Sequence, residues 1–153
     1  MKDVEINNYN YVIRALLNAG IETYIPICLA RKIAIRFPST TLQTAAICST
    51  RVTTTSGTYI DVRSQAIDAF DSDLFIAVSI VEEKMWIVPT INIASKQTFS
   101  LSNRDDLLLS SHSSPIVQAT DVNKQHVLDI MREHGIGVVE RDRMQALISP
   151  TTT

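Results

Sequence analysis

The feature that most constrains the fold is a nearly continuous apolar run in the middle of the chain. Residues 73–81 read DLFIAVSIV, and only the first residue is charged. The run is far too short to span a bilayer as a helix and has the usual length of a strand. A strand without alternating polar residues is typical of one buried on both faces. The sequence therefore predicts a central strand in a sheet that is covered on both sides.

Weaker patterns predict the elements around this strand. Tyr9, Val12 and Leu16 recur at helical spacing, with Asn7 and Asn8 as the predicted N-terminal cap and Gly20 as the stop. Ser56–Gly57 has the composition of a hairpin turn. Strands are predicted at residues 24–27, 32–37, 42–52, 58–63, 85–89, 97–102 and 136–140, and further helices follow Asp121 and span residues 141–148. The resulting order of helix, strands, helix and strand predicts an α/β or α+β fold, of which we take α/β as the fold class.

Length and composition narrow the class of protein. A chain of 153 residues with a formal net charge of −2 fits one globular domain, which we place at residues 1–150, with 151–153 as a frayed tail. Cys28 and Cys48 lie in apolar stretches and are expected to be buried free thiols. The three histidines lack the spacing of metal ligands. The acidic residues near Met1 do not suit a signal peptide, so we expect a cytoplasmic protein with no membrane association.

Four short segments carry a family resemblance: CSTRV at 48–52, YIDVRS at 59–64, DLFIAV at 73–78 and WIVP at 86–89. Together they resemble the branch of the PD-(D/E)XK restriction-endonuclease-like superfamily that includes small nucleases associated with group I introns. The similarity covers roughly residues 6 to 93. It implies a restriction-endonuclease-like core, in which a mixed β-sheet is flanked by helices in an αβββαβ order.

The resemblance breaks at the residues that carry the family's chemistry. Those nucleases place an Asp on one strand and, on the next, an acid or Gln two positions before a Lys; the acids hold Mg²⁺, which activates water. Here residues 31–36 read RKIAIR, without an acid, and Ile47 and Ser49 occupy the second strand's positions. A shift of two residues places Ser49 and Arg51 there instead. A second alignment, of Pro38-Ser39 with residues 61–63, leaves Asp61 as one carboxylate. The sequence predicts a degenerate site with no metal or other cofactor.

The same region is basic. Between Cys28 and Ser64 the five cations outnumber the single acid, which gives a local net charge of +4. Strands in this part of the nuclease fold line the DNA-facing cleft, so the resemblance implies that these cations contact phosphates. A different interpretation is that charged residues on edge strands prevent aggregation. The predicted nucleic-acid-binding residues are Arg31, Lys32, Arg36, Arg51 and Arg63.

Three functional hypotheses follow. The first is a nuclease-fold protein with an inactive metal site that serves as a DNA-binding or assembly module. The second is an active Mg²⁺-dependent DNA endonuclease, in which Asp61 is catalytic and Glu5 or Glu22 completes an atypical site. The third is a protein-binding regulatory subunit, which the near-neutral net charge permits. Members of this superfamily commonly assemble into dimers, so a homo-oligomer is an expectation that the sequence does not decide.

Overall fold

The computed structural model describes residues 3–25, 32–36, 42–55, 57–109 and 124–133. Within these ranges the chain forms two α-helices, α1 (Asp3–Asn18) and α2 (Lys124–Glu133). It also forms eight strands: β1 (Glu22–Tyr24), β2 (Lys32–Arg36), β3 (Gln43–Ser49), β4 (Arg51–Thr53), β5 (Gly57–Asp61), β6 (Leu74–Ser79), β7 (Lys84–Pro89) and β8 (Thr98–Ser100). Short 3₁₀ turns connect several of them. The predicted mixed α/β architecture is confirmed.

The larger sheet has five strands in the order β1-β2-β3-β6-β7. Only the β3–β6 pair is parallel, with Ala45 opposite Leu74 and Ser49 opposite Val78. All six residues of β6 are buried, as the apolar run 73–81 predicts. Strand β7 returns antiparallel to β6 after a turn in which Glu83 adopts a positive φ of 54°. Strand β6 thus lies between β3 and β7. Its side chains are buried on both faces of the sheet, which explains why its sequence carries no alternation.

Helix α1 packs against β1, β3 and β6 through its apolar stripe, including the buried Val12 and Leu16. The prediction that Asn7 and Asn8 cap this helix is wrong, because the helix already includes Asp3. The predicted stop is confirmed: Gly20 has a φ of +76°, and the N–H of Ile21 reaches back to the carbonyl of Leu16 at 3.0 Å. Such a left-handed residue closes a helix and suits glycine.

A second sheet was not predicted. Residues 42–52, expected to form one strand, divide at Thr50 into β3 of the larger sheet and β4 of a three-stranded sheet with the order β4-β5-β8. The Thr50 N–H donates to the Val78 carbonyl at 3.1 Å, so the chain leaves the larger sheet just past the end of the β3–β6 ladder. Strands β4 and β5 form the predicted hairpin, and Gly57 has a φ of +68° at its turn.

One hydrophobic core joins both sheets and both helices. Helix α2 contributes Val127, Ile130 and Met131, and His126 Nε2 lies 2.6 Å from the carbonyl oxygen of Leu108. No helix of the described residues is long and apolar enough to cross a membrane. The predicted cap at Asp121, strand 136–140, helix 141–148 and tail 151–153 lie outside the described residues.

Candidate functional site

The side chains of β3 alternate between two faces of the larger sheet. On one face, Ile47 and Ser49 lie towards α1, as the hydrogen bond from Asn8 Nδ2 to Ser49 Oγ shows. These are the two positions at which the sequence resemblance places the acid or Gln and the Lys of the nuclease site. The structure therefore brings both positions to one face, beside the N-terminal half of α1. Ile47 is buried, whereas Ser49 reaches the surface.

A cavity of about 300 Å³ opens at this end of β3. Its walls come from α1, from the end of β3, from the start of β4 and from the 3₁₀ turn that follows β5. The lining residues are Val4, Glu5, Asn8, Tyr9, Ile47, Cys48, Ser49, Arg51, Ser64 and Gln65. The cavity lies where the larger sheet passes into the smaller one, so its shape depends on the division of the chain at Thr50.

Asn8 is the residue of this site that sequence reasoning missed. It is only 5% exposed and donates its side-chain amide to Ser49 Oγ. A buried amide is retained where it is hydrogen-bonded, because an unpaired one is costly. The sequence did indicate that Asn8 is buried, because Asn8 lies four residues before Val12 and eight before Leu16, on the core-facing stripe. A polar residue on such a stripe indicates a buried partner.

Arg51 and Asp61 meet beside the cavity. Arg51 Nε lies 3.6 Å from Asp61 Oδ2, and the side chains are 59% and 19% exposed. Asp61 Oδ1 is buried and has no hydrogen-bond partner among the described residues. Ser64 Oγ and Gln65 Nε2 donate to the Asp61 carbonyl at 2.9 and 3.0 Å, which fixes the backbone on the cavity side. The Asp61 carboxylate therefore pairs with the Arg51 guanidinium through Oδ2, while Oδ1 has no hydrogen-bond partner among the described residues.

Of the other predicted cations, the three that the structure describes do not line the cavity. Lys32 Nζ donates to the Asp68 carbonyl. Arg36 forms an ion pair with Glu22 across β1 and β2, with Nε and Oε2 2.8 Å apart. Because β2 runs antiparallel to β3, Arg36 lies beyond Gln43, some seven residues or roughly 20 Å from the end of β3 at which the cavity opens. Arg63 is exposed in the 3₁₀ turn after β5, and Arg31 lies outside the described residues.

The carboxylates considered for an atypical metal site also separate. Glu5 lines the cavity, whereas Glu22 lies at the outer edge of the larger sheet. Hydrogen bonds from Arg36 and from Tyr24 lower the pKa of Glu22. Among the described residues, no three His, Cys, Asp or Glu side chains gather closely enough to hold a metal ion. Pro38 and Ser39, which belong to the second alignment, lie outside the described residues.

Cys48 lines the cavity wall but does not offer a reactive thiol. Burial raises the pKa of the Cys48 thiol to about 12, so at neutral pH it remains protonated. A protonated thiol is a poor nucleophile and a poor metal ligand. Cys48 is a free cysteine, as predicted, and Cys28 lies outside the described residues. In the described part of the chain, the cavity therefore offers hydrogen-bonding groups, the Glu5 carboxylate and the ion-paired Arg51 guanidinium.

The fold is similar to that of a known nuclease. A solved structure described as a bacterial homing endonuclease, I-Ssp6803I, superimposes with a TM-score of 0.57 at 12% sequence identity. The match covers 91% of this chain and 94% of that one. No protein-family model and no curated protein sequence matches the chain. At this level of identity the similarity establishes a nuclease-like fold, and function has to be argued from the residues of the site.

Proposed function

We propose that this protein is a nuclease-fold DNA-binding module that does not hydrolyse DNA. The observation that carries the proposal is the identity of the two β3 side chains beside the cavity, Ile47 and Ser49. If the chain is related to the PD-(D/E)XK nucleases, these positions supply the second metal ligand and the nucleophile-supporting Lys. Here they supply a hydrocarbon side chain and a hydroxyl that accepts a hydrogen bond from Asn8.

Cleavage of a phosphodiester by this route requires a divalent cation held by hard oxygen ligands. Ile47 has no side-chain oxygen to offer, and among the described residues Glu5 is the one carboxylate that lines the cavity. The Arg51 guanidinium stands at the same cavity, and its positive charge raises the electrostatic cost of bringing a divalent cation there. A guanidinium also does not serve as a general base.

Positive charge and hydrogen-bond donors favour phosphate binding instead. Arg51 is more than half exposed and its ion pair with Asp61 is long, so the guanidinium can contact a phosphate without leaving a buried site. Arg63, in the 3₁₀ turn that follows β5, is a second exposed cation. A guanidinium binds phosphate oxygens through its planar fork of donors. The nuclease-like fold of the structural neighbour supports DNA as the polyanion.

Two assays on the purified chain test the proposal. Incubation with supercoiled plasmid in Mg²⁺ or Mn²⁺ should leave the plasmid intact. Fluorescence anisotropy with a labelled 20-base-pair duplex should show binding that weakens steeply as salt is raised, because each phosphate contact releases counterions. Cation-dependent nicking that Asp61→Ala abolishes would establish the active endonuclease hypothesis instead.

Asp61→Asn separates binding from catalysis more sharply. If Asp61 only neutralises Arg51, the Asn variant frees the guanidinium and should tighten duplex binding by about two- to fivefold. If Asp61 held a catalytic metal, the same change would remove cleavage and leave binding in Mg²⁺ weaker. Absence of duplex binding by the wild-type chain would favour the regulatory-subunit hypothesis. Self-association stays a prediction, which sedimentation velocity at several concentrations tests.

A further inference from the structure

Building on the proposed DNA binding, we infer that duplex DNA docks on the outer face of the three-stranded sheet, with the β4–β5 hairpin directed into the major groove. Lys32 and Arg36 of β2, two of the five cations that the sequence suggested, are not part of this surface. It is formed by side chains whose register on β4, β5 and β8 places them on one face.

The strand register defines the outer face. Thr58, Ile60 and Phe99 are buried, so they point towards the core. The alternate residues must point away from it, because successive side chains of a strand lie on opposite faces. These alternate residues form rows across the sheet. The outer face consists of Arg51, Tyr59 and Ser100 in one row, Asp61 and Thr98 in a second, and Thr53 with Gly57 in a third.

The chemistry of this face suits the edges of base pairs and the phosphates beside them. Arg51, Thr53, Thr98 and Ser100 are exposed, and Tyr59 is half-buried. Hydroxyl groups both donate and accept hydrogen bonds, and an Arg can donate two to the major-groove acceptors of guanine. Tyr59 is the one aromatic residue on the face, which is too few for the stacking platforms that bind single strands. The face therefore favours duplex DNA.

The dimensions agree with a major-groove position. Two paired strands are about 4.8 Å apart, and the major groove of B-DNA is about 12 Å wide and admits a two-stranded ribbon. Strand β4 pairs only with β5 among the described residues, and all three of its residues are exposed, so no other described strand covers the outer edge of the hairpin. Strands of three to five residues extend roughly 10–17 Å, the length of about three to five base pairs.

The cations of the smaller sheet provide internal controls. Arg51 lies on the outer face. Arg63 lies two residues after the end of β5, and its backbone N–H donates to the carbonyl of Gln97 beside β8. Lys96 belongs to the same part of the chain, but its Nζ lies 5.1 Å from the centre of the Phe99 ring. Phe99 points to the core side of the sheet. Because the Lys96 ammonium group lies over the Phe99 ring, Lys96 extends to the side opposite the outer face. A docked duplex would contact Arg51 and Arg63 and leave Lys96 free.

The decisive test places a charge on the face. Ser100→Glu should weaken binding of a labelled 20-base-pair duplex at least about tenfold, because the added carboxylate repels phosphates and competes for Arg51. Ser100→Gln introduces a side chain of the same size as Glu but without its charge, and it should change the affinity by no more than about twofold. Asn18→Glu, an exposed residue at the end of α1, should cause only the small loss expected from net charge.

Alanine substitutions complete the test. Arg51→Ala and Arg63→Ala should each weaken binding and reduce the salt slope by about one, whereas Lys96→Ala should leave the slope unchanged. If the wild type binds duplex but Ser100→Glu binds equally well, or if Lys96→Ala has the largest effect, the docking face is wrong and the proposed function survives. If the wild type does not bind duplex DNA, both proposals fall.

Discussion

The five-stranded and three-stranded sheets differ in how completely each is covered. In the larger sheet, β6 is buried along its whole length and α1 packs on the adjoining strands. In the smaller sheet, one face enters the core through Ile60 and Phe99, while the other carries Arg51 and Tyr59 towards the surface. Stability therefore depends chiefly on the larger sheet. The smaller sheet keeps one face exposed, and this is the face on which we propose that DNA docks.

The largest expected effect is on stability, and it appears when one side chain is truncated in each sheet and the two losses are compared. Phe75→Ala removes one of the largest fully buried side chains and should cost about 3–5 kcal/mol of unfolding free energy. Tyr59→Ala, on the outer face of the smaller sheet, should cost about 1–2 kcal/mol because Tyr59 is only half-buried. Urea unfolding followed by Trp86 fluorescence measures both. Equal costs would show that the two sheets contribute alike to stability.

Alkaline pH should weaken the larger sheet through Cys48. Its pKa is raised by burial to about 12, so the folded state keeps the thiol protonated while the unfolded chain ionises near the ordinary value of 9.0. The contribution of Cys48 to the free energy of unfolding is therefore fully present below pH 9 and is lost as the pH rises towards 12. Between pH 8 and 10.5 the Cys48 contribution to the loss should be about 2 kcal/mol.

The matched comparison is Cys48→Ala, which should lose less stability than the wild type over that pH interval. Burial also raises the pKa values of Tyr9 and Tyr11, and these phenols add to the alkaline loss in both proteins. The difference between the two proteins therefore reports Cys48 alone. Parallel curves for wild type and variant would mean that the thiol ionises as readily in the folded state.

Alanine substitution of two glycines allows the turn beside the larger sheet to be compared with the turn of the smaller sheet. Gly20 and Gly57 both have positive φ, so alanine at either costs about 1–2 kcal/mol. An added Cβ at Gly20 meets no atom within 4 Å, whereas at Gly57 it would overlap Ser102 Oγ. Gly57→Ala should be the more destabilising change. The excess should shrink in a Ser102→Ala background; if it does not, strain in the backbone rather than overlap is the cause.

The smallest expected effect concerns the exposed ion pair at the edge of the larger sheet. Hydrogen bonds from Arg36 lower the pKa of Glu22, so Arg36→Ala should return that pKa part of the way towards its ordinary value of 4.5. Carboxyl chemical shifts followed by NMR during acid titration measure the change. Because the folded pKa is lowered, the contribution of the pair is present above pH 4.5 and is lost as the pH falls. Arg14→Ala, on the exposed face of α1, should leave the titration of Glu22 unchanged.

Much of the larger sheet could be predicted because its signals are local. A buried strand needs an apolar run, a returning strand needs a turn, and a helix end needs a residue that tolerates positive φ. Residues 73–81, the segment 82–84 and Gly20 met these needs in the sequence itself. The misreading of Asn8 as a cap shows the limit of such signals. An Asn before an apolar stripe is compatible with a cap, and only the partner at Ser49 makes it a buried residue.

The sequence by itself determined the α/β class, the buried central strand and the absence of acidic residues from β2 and from positions 47 and 49, because composition and periodicity are properties of the chain. Tertiary structure decided what no local pattern records. It divided residues 42–52 between two sheets at Thr50, paired Arg51 with Asp61, and placed Arg36 at the far end of β2. Contacts between residues distant in sequence depend on how the sheets twist and pack. The cavity and the outer face therefore exist only in the folded chain.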